Sequence, residues 1–291
     1  LYRSGKFKMK SKPATFHVVD MKHDHLKKRI LDPNSNIYLE QLEVTTKEGC
    51  VRKHKQDKYR QINKYVEIID SILRAVQLPE SFNVIDMGAG KGYLTFALYD
   101  YLYNKLKKKP KVLGIELRSE LVEKCNVIAR NAKFDHLYFA QGEIKNVILP
   151  KIDVLIALHA CDIATDDAIA RGIKGQAKVI LAAPCCHKQV RKSMKNQGAL
   201  AILTKFGIME ARQAEILTDT IRALILESYG YQTKVFEFIA TDHTPKNILI
   251  TAVKTKEISV PDLAILDQVT TLKSTFGITF HELEHLLEIE T

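Results

Sequence analysis

Residues 83–98 read NVIDMGAGKGYLTFAL. An apolar run with one acid, Asp86, leads into three glycines within five positions, and a helix-forming stretch follows. A strand that ends on glycines and turns at once into a helix opens a doubly wound α/β unit. Glycine alone lets the backbone turn that tightly and leaves space for a ligand beside it. The pattern then repeats. Apolar strands are expected at KVLGIEL (111–117), HLYFAQG (136–142), DVLIALH (153–159) and AKVILAAP (177–184). Helices are expected at YLTFALYDYLYNKL (93–106), SELVEKCNVIARNA (119–132), TDDAIARGI (165–173) and AEILTDTIRALILESYG (214–230). Strands this apolar must be buried on both faces, which requires helices on both sides of a parallel sheet.

The last two strands, YQTKVFEFIA (231–240) and KNILITAVK (246–254), alternate polar and apolar residues and suit an antiparallel edge hairpin. The expected fold is therefore Rossmann-like: a doubly wound, seven-stranded, mostly parallel sheet with an antiparallel edge hairpin. Residues 57–255 are expected to form this body. It opens on a covering helix whose Tyr59, Ile62, Val66, Ile69 and Leu73 share one face. Residues 1–56 read as a basic extension and 256–291 as a C-terminal helical tail.

Charge is unevenly spread. Residues 1–60 hold 15 Lys/Arg against 7 Asp/Glu, a net of +8 out of +10 for the chain. A basic arm on a nearly neutral body predicts a polyanionic partner, nucleic acid above all. The polar face of the covering helix (Lys58, Arg60, Gln61, Asn63, Lys64) has two readings, a nucleic-acid contact with Tyr59 and Tyr65 stacking on bases, or a plain amphipathic cover. No apolar run approaches the ~20 residues of a membrane span. The five cysteines are odd in number and two are adjacent, which argues against a disulfide framework and for a reducing cytoplasm.

The glycine loop is neither of the two common phosphate cradles. A P-loop needs a hydroxyl residue after its lysine, and Gly92 follows Lys91. A dinucleotide fingerprint is G-x-G-x-x-G with an acid about 20 residues on. Here the glycines are Gly88, Gly90 and Gly92, and the next strand-end acid, Glu116, comes 30 residues after Asp86. Asp86 is expected to face the crevice, where a carboxylate repels pyrophosphate and welcomes a cation such as S-adenosylmethionine, with its ammonium and sulfonium. Glu116 can accept the ribose hydroxyls, and Glu143 in QGEI (141–144) can take the adenine amine.

D-x-G-x-G-x-G-Y (86–93), the second-strand acid and the Gly-Glu after strand three stand in the order found in class I S-adenosylmethionine-dependent methyltransferases, which the chain resembles over roughly 80–255. The resemblance implies that Asp86, Gly88, Ala89, Gly90, Gly92, Glu116, Leu117, Gly142, Glu143 and Leu158 bind S-adenosylmethionine. LHACDIATDDAI (158–169) and APCCHKQ (183–189) look like the methyltransferase domain of the glutathione S-transferase C-terminal-domain-containing family. They are also similar to tRNA ribose 2′-O-methyltransferases, which implies an RNA substrate.

His159, Asp162, Cys185, Cys186 and His187 are thus expected to line the methyl-acceptor side. Four chemistries are open to this cluster. His159, Asp162, Asp166 or His187 can act as a general base. Cys185 or Cys186, activated by His187 and Lys188, can attack a pyrimidine ring. Cys161, Cys185, Cys186 and His187 can bind zinc, but adjacent cysteines depart from C-x-x-C spacing, so no metal is expected. The thiols can also simply pack beneath the site while Thr165, Asp166 and Asp167 start a helix. TDHTPKN (241–247) has two readings, a loop whose His243 and Lys246 touch substrate beside the acceptor side, or an ordinary polar hairpin loop. HELEH (281–285) spells a zinc-protease signature, but it suits a terminal helix with Leu283, Leu286 and Leu287 packed inward.

Overall fold

In the computed structural model of the chain, the described residues are 30–34, 36–158, 160–195, 198–237, 248–258 and 260–289. The expected site residues His159, His243 and Lys246, and most of the basic extension, lie outside them.

The sheet is built around β1 (Ser81–Met87), which pairs in parallel with β2 (Lys109–Glu116) on one side and β4 (Val154–Ala157) on the other. β2 pairs in parallel with β3 (Leu137–Gln141), and β4 with β5 (Val179–Ala182). Antiparallel to β5 runs β7 (Ile248–Lys254), followed by β6 (Tyr231–Glu237), so the order is β3-β2-β1-β4-β5-β7-β6. All seven expected strands are present. β4 and β5 are buried at every position, as a central strand covered on both faces must be. β6 closes the edge with its side chains mostly exposed.

α2 (Gln56–Arg74) buries Tyr59, Ile62, Val66, Ile69 and Leu73, the face read from its periodicity. Tyr59 and Tyr65 are buried as well, and the Tyr59 hydroxyl donates to the Leu31 carbonyl. They are core residues and do not stack on bases. Asn63 is fixed too, accepting from the Leu31 N–H at 3.0 Å and donating to the Tyr59 carbonyl at 2.9 Å.

α3 (Tyr93–Asp100) continues into a wider π-turn over Tyr101–Lys105, and α4 (Ser119–Asn131) crosses to β3. α5 (Ile163–Lys174) and α8 (Gly207–Ser228) cover the other half of the sheet. Two short helices, α6 (Lys188–Ser193) and α7 (Ala199–Leu203), fill the β5–α8 connection. Neither is long enough to show a periodic face in the sequence.

The boundary drawn at residue 57 does not divide the described structure. Leu31, Leu39 and Val44 are fully buried, and Tyr38 of α1 (Ile37–Gln41) stacks on Phe96 of α3 at 5.8 Å. Residues from Leu31 on therefore share the core of the sheet domain. The tail is integrated as well. α9 (Leu263–Phe276) packs along α8, and α10 (Glu282–Leu286) packs against α5, burying Val269 and Leu283. In HELEH, His281 caps α10 by accepting from the Leu283 N–H at 3.3 Å, and Glu284 pairs with Lys273 at 2.8 Å. No helix among the described residues is long and apolar enough to cross a membrane.

Candidate active site

The sheet runs outward from β1 in two directions, through β2 on one side and β4 on the other. Ligands of doubly wound sheets bind at that switch point, beyond the carboxyl ends of the strands. A cleft of about 610 Å³ lies there, walled by Gly88, Gly90, Glu116, Leu117, Arg118, Gly142, Glu143, Lys145, Cys161, Ile163 and Asp167 among others. A second, apolar groove of about 490 Å³ runs between α8 and the β6–β7 edge, away from the glycine loop.

The glycine loop uses its own N–H groups. Gly88 and Ala89 both donate to the Ile115 carbonyl at 2.9 Å, and Gly92 donates to Ala89 at 2.9 Å. The Gly90 N–H donates to Glu116 Oε2 at 2.9 Å. A phosphate nest requires such groups to be free and turned outward. This loop turns them inward and places a carboxylate against them. Gly90, at φ +59°, would carry a Cβ into open space, whereas a Cβ on Gly92, at φ +74°, would come within 2.9 Å of the Phe96 ring. The first glycine keeps the cleft open, and the second lets α3 pack behind it.

Asp86 differs from expectation. It does not stand at the lip of the cleft but lies buried beneath the loop, 6% exposed, accepting the Thr95 hydroxyl at 2.5 Å. On β1 it shares a side with Val84, the side covered by α3, so strand alternation turns it toward that helix. Burial pushes its carboxyl up to about 6, against the downward pull of Thr95.

The cleft-wall carboxylate that meets the glycine loop is Glu116. Its Oε1 accepts from the Arg118 N–H at 3.1 Å and from Arg118 Nε at 2.8 Å. Burial raises its pKa, but the donors from Arg118 and Gly90 outweigh burial and hold it below the usual carboxylate range. A carboxylate offers about four acceptor sites. The protein takes three, so a second ribose hydroxyl can bind only by displacing the exposed Arg118 side chain.

Glu143 follows β3 at the cleft edge, steadied by Asn146 at 3.1 Å. Leu117, 61% exposed, offers an apolar face on the same wall, and Gly142 lines it too. Ala89 and Leu158 are buried in the core behind the cleft and support it rather than line it.

The acceptor side also departs from expectation. Asp162 is not a free base. Its Oδ1 accepts from the Lys188 N–H at 3.1 Å at the start of α6, and its backbone is held at φ +52°. Asp166 accepts two hydrogen bonds from Arg222, both at 2.8 Å. His187 is buried, with Nε2 at 3.2 Å from Asp219 Oδ1, and Arg222 reaches Asp219 at 3.1 Å and the Asp162 carbonyl at 3.0 Å. Together these groups form a buried network that ties α5, α8 and the Cys185–His187 loop together.

The thiols come together. Cys161 Sγ lies 3.1 Å from Cys185 Sγ, which is 3.7 Å from Cys186 Sγ. Burial, then the neighbouring Cys161 and Cys186, push the Cys185 thiol up to about 12. That is opposite to the activation expected from His187 and Lys188, so Cys185 is no ready nucleophile at neutral pH. Arg222, Asp219, Thr95 and Arg118 were not singled out in the sequence. Only the i, i+3 spacing of Asp219 and Arg222 hinted at one of these contacts.

Residues 57–193 match the family model Methyltransf_32, described as a methyltransferase domain. Over this stretch, just under half of the chain, the match is to a methyltransferase domain, and the strand order β3-β2-β1-β4-β5-β7-β6 is the seven-stranded sheet that the class I resemblance implies. The cleft fits S-adenosylmethionine as the methyltransferase's cofactor. Its loop offers no phosphate nest, and its walls carry the carboxylates Glu116, Glu143 and Asp167 against the cations Arg118 and Lys145, with the apolar Leu117.

The glutathione S-transferase C-terminal domain-containing protein of Homo sapiens is 23% identical over 236 residues, which cover 72% of this chain and 35% of that protein. The Macaca fascicularis protein of the same name gives the same figures. The chain thus spans about a third of the length of these curated relatives. Among solved structures, magnesium protoporphyrin IX methyltransferase from Synechocystis, with bound SAM, is 14% identical at a TM-score of 0.43, covering 75% of this chain and 90% of its own. A structure described as a putative S-adenosylmethionine-dependent methyltransferase from Methanococcus maripaludis is also 14% identical at 0.43, covering 72% of this chain and 94% of its own.

Proposed function

We propose that the methyltransferase domain acts on RNA in a reducing cytoplasm, with a ribose hydroxyl or a base nitrogen as acceptor. The observation that carries this reading is the concentration of charge: residues 1–60 hold +8 of the chain's +10. The described end of that segment brings positive charge beside the glycine loop. Lys55 and Lys58 stand 6.0 and 5.6 Å from the ring of Tyr93, the residue that follows Gly92.

The cofactor supplies a methyl group already activated on a sulfonium. The chain's task is to align the acceptor and exclude water. Glu116, Glu143 and Leu117 orient the nucleoside end of the cleft. The Cys161 turn after β4 and the Cys185–His187 loop after β5 form the neighbouring wall. The buried Arg222 network keeps both from drifting.

A tritiated-methyl assay against total RNA, protein and metabolite pools tests the substrate class. Label in the RNA pool is expected, with RNA affinity falling as salt rises by a log–log slope of ~0.7 per phosphate contacted. Label confined to the protein or metabolite pool would overturn the reading.

A further inference from the structure

Three thiols meet where the acceptor wall reaches the cofactor cleft. Cys161 follows β4, and Cys185 and Cys186 follow β5, 24 residues later in the chain. All three sulfurs lie within 4.8 Å of one another. Cys161 is exposed and lines the cleft, while Cys185 and Cys186 are half-buried. Adjacent cysteines make a poor chelate on their own, because spacing of the C-x-x-C type is what usually brings two sulfurs onto one ion. The parallel β4–β5 pairing removes that objection by delivering the third sulfur from the neighbouring strand.

We propose that Cys161, Cys185 and Cys186 form a zinc site at the mouth of the cofactor cleft, three-coordinate from the protein with its fourth position open to the cleft. Zinc–thiolate bonds of ~2.3 Å in a tetrahedron place sulfurs about 3.8 Å apart. The observed 3.7 Å between Cys185 and Cys186 matches this, and the 3.1 Å between Cys161 and Cys185 needs only a small opening of the exposed Cys161. A disulfide between Cys161 and Cys185 would use two of the three thiols and leave the third unexplained. A divalent ion binds the three as thiolates, since coordinated thiols lose their protons. Three protein ligands with one position left for water or an acceptor atom is the arrangement of a reactive zinc site rather than a closed structural one.

The test is independent of methyl transfer. The full chain is stripped of metal under reducing conditions and titrated with Co²⁺, then Zn²⁺. One Co²⁺ per chain is expected to produce thiolate-to-cobalt charge-transfer absorption and tetrahedral visible bands, both erased by Zn²⁺. Cys161→Ser and Cys185→Ser should each weaken zinc by more than the ~10–100-fold that loss of an outer-shell partner costs, with circular dichroism unchanged. Cys50→Ser, at an exposed cysteine outside the cluster, should bind as the parent does. The proposal is overturned if the reduced chain gives no charge-transfer band. It is equally overturned if that band survives in the folded Cys161→Ser and Cys185→Ser variants. Loss of methyltransferase activity with metal binding intact would count against the proposed function and leave the zinc site standing.

Discussion

Asp86→Asn separates what the buried carboxylate costs from what it does. In the folded chain burial pushes its pKa up to about 6 from the 3.8 of an unperturbed aspartate. The folded state therefore holds a proton between those values that the unfolded chain releases. Stability consequently falls as pH rises from about 4 to about 6 and stays low above. At 1.36 kcal/mol per unit, a displacement of about two units corresponds to about 3 kcal/mol. Asparagine carries no charge to desolvate, and its carbonyl can still accept the Thr95 hydroxyl. The ligand-free variant should thus be more stable than the parent at pH 8, by up to about 3 kcal/mol, with the gain vanishing toward pH 4. Urea unfolding at both pH values measures the difference. A variant destabilised equally at pH 8 and pH 4 would refute the reasoning.

Three further outcomes follow from the site. Arg222→Leu strands Asp166 and Asp219 as buried carboxylates and should cost about 3–5 kcal/mol in chemical unfolding, whereas adding Asp166→Leu and Asp219→Leu should recover part of that loss. Glu116→Gln keeps the volume but weakens the contact with Gly90, so S-adenosylhomocysteine affinity in calorimetry should drop by about 1–3 kcal/mol with little change in melting temperature. Gly92→Ala should lower the melting temperature, because its Cβ meets the Phe96 ring and its φ is positive.

Most of the fold was legible because its strands are short, apolar and punctuated by turns, and their burial in β4 and β5 follows directly from that composition. The switch point, and with it the cleft, followed from the glycine loop. Side-chain direction was harder to read. Asp86 sits on the α3 side of β1, and nothing in NVIDM reveals which side of the strand that helix will cover. Its partner Thr95 lies nine residues on, in a helix whose packing the sequence leaves open. Tyr59 and Tyr65 fitted either a base-stacking face or a buried one until Leu31 came down to take the Tyr59 hydroxyl. The network of Asp166, Asp219 and Arg222 and the Cys161–Cys185 contact join residues 56 and 24 positions apart, distances over which no local pattern carries a signal. The acceptor wall therefore became readable only once β4 and β5 stood side by side.

The central claim is that this glycine loop, with its N–H groups turned inward and Glu116 against them, receives a sulfonium cofactor and not a phosphorylated one. Isothermal titration of the full chain with S-adenosylmethionine, NAD and ATP tests it most directly. Saturable binding of S-adenosylmethionine is expected, with no measurable heat from either phosphate compound. Tight binding of NAD or ATP with no response to S-adenosylmethionine would contradict it.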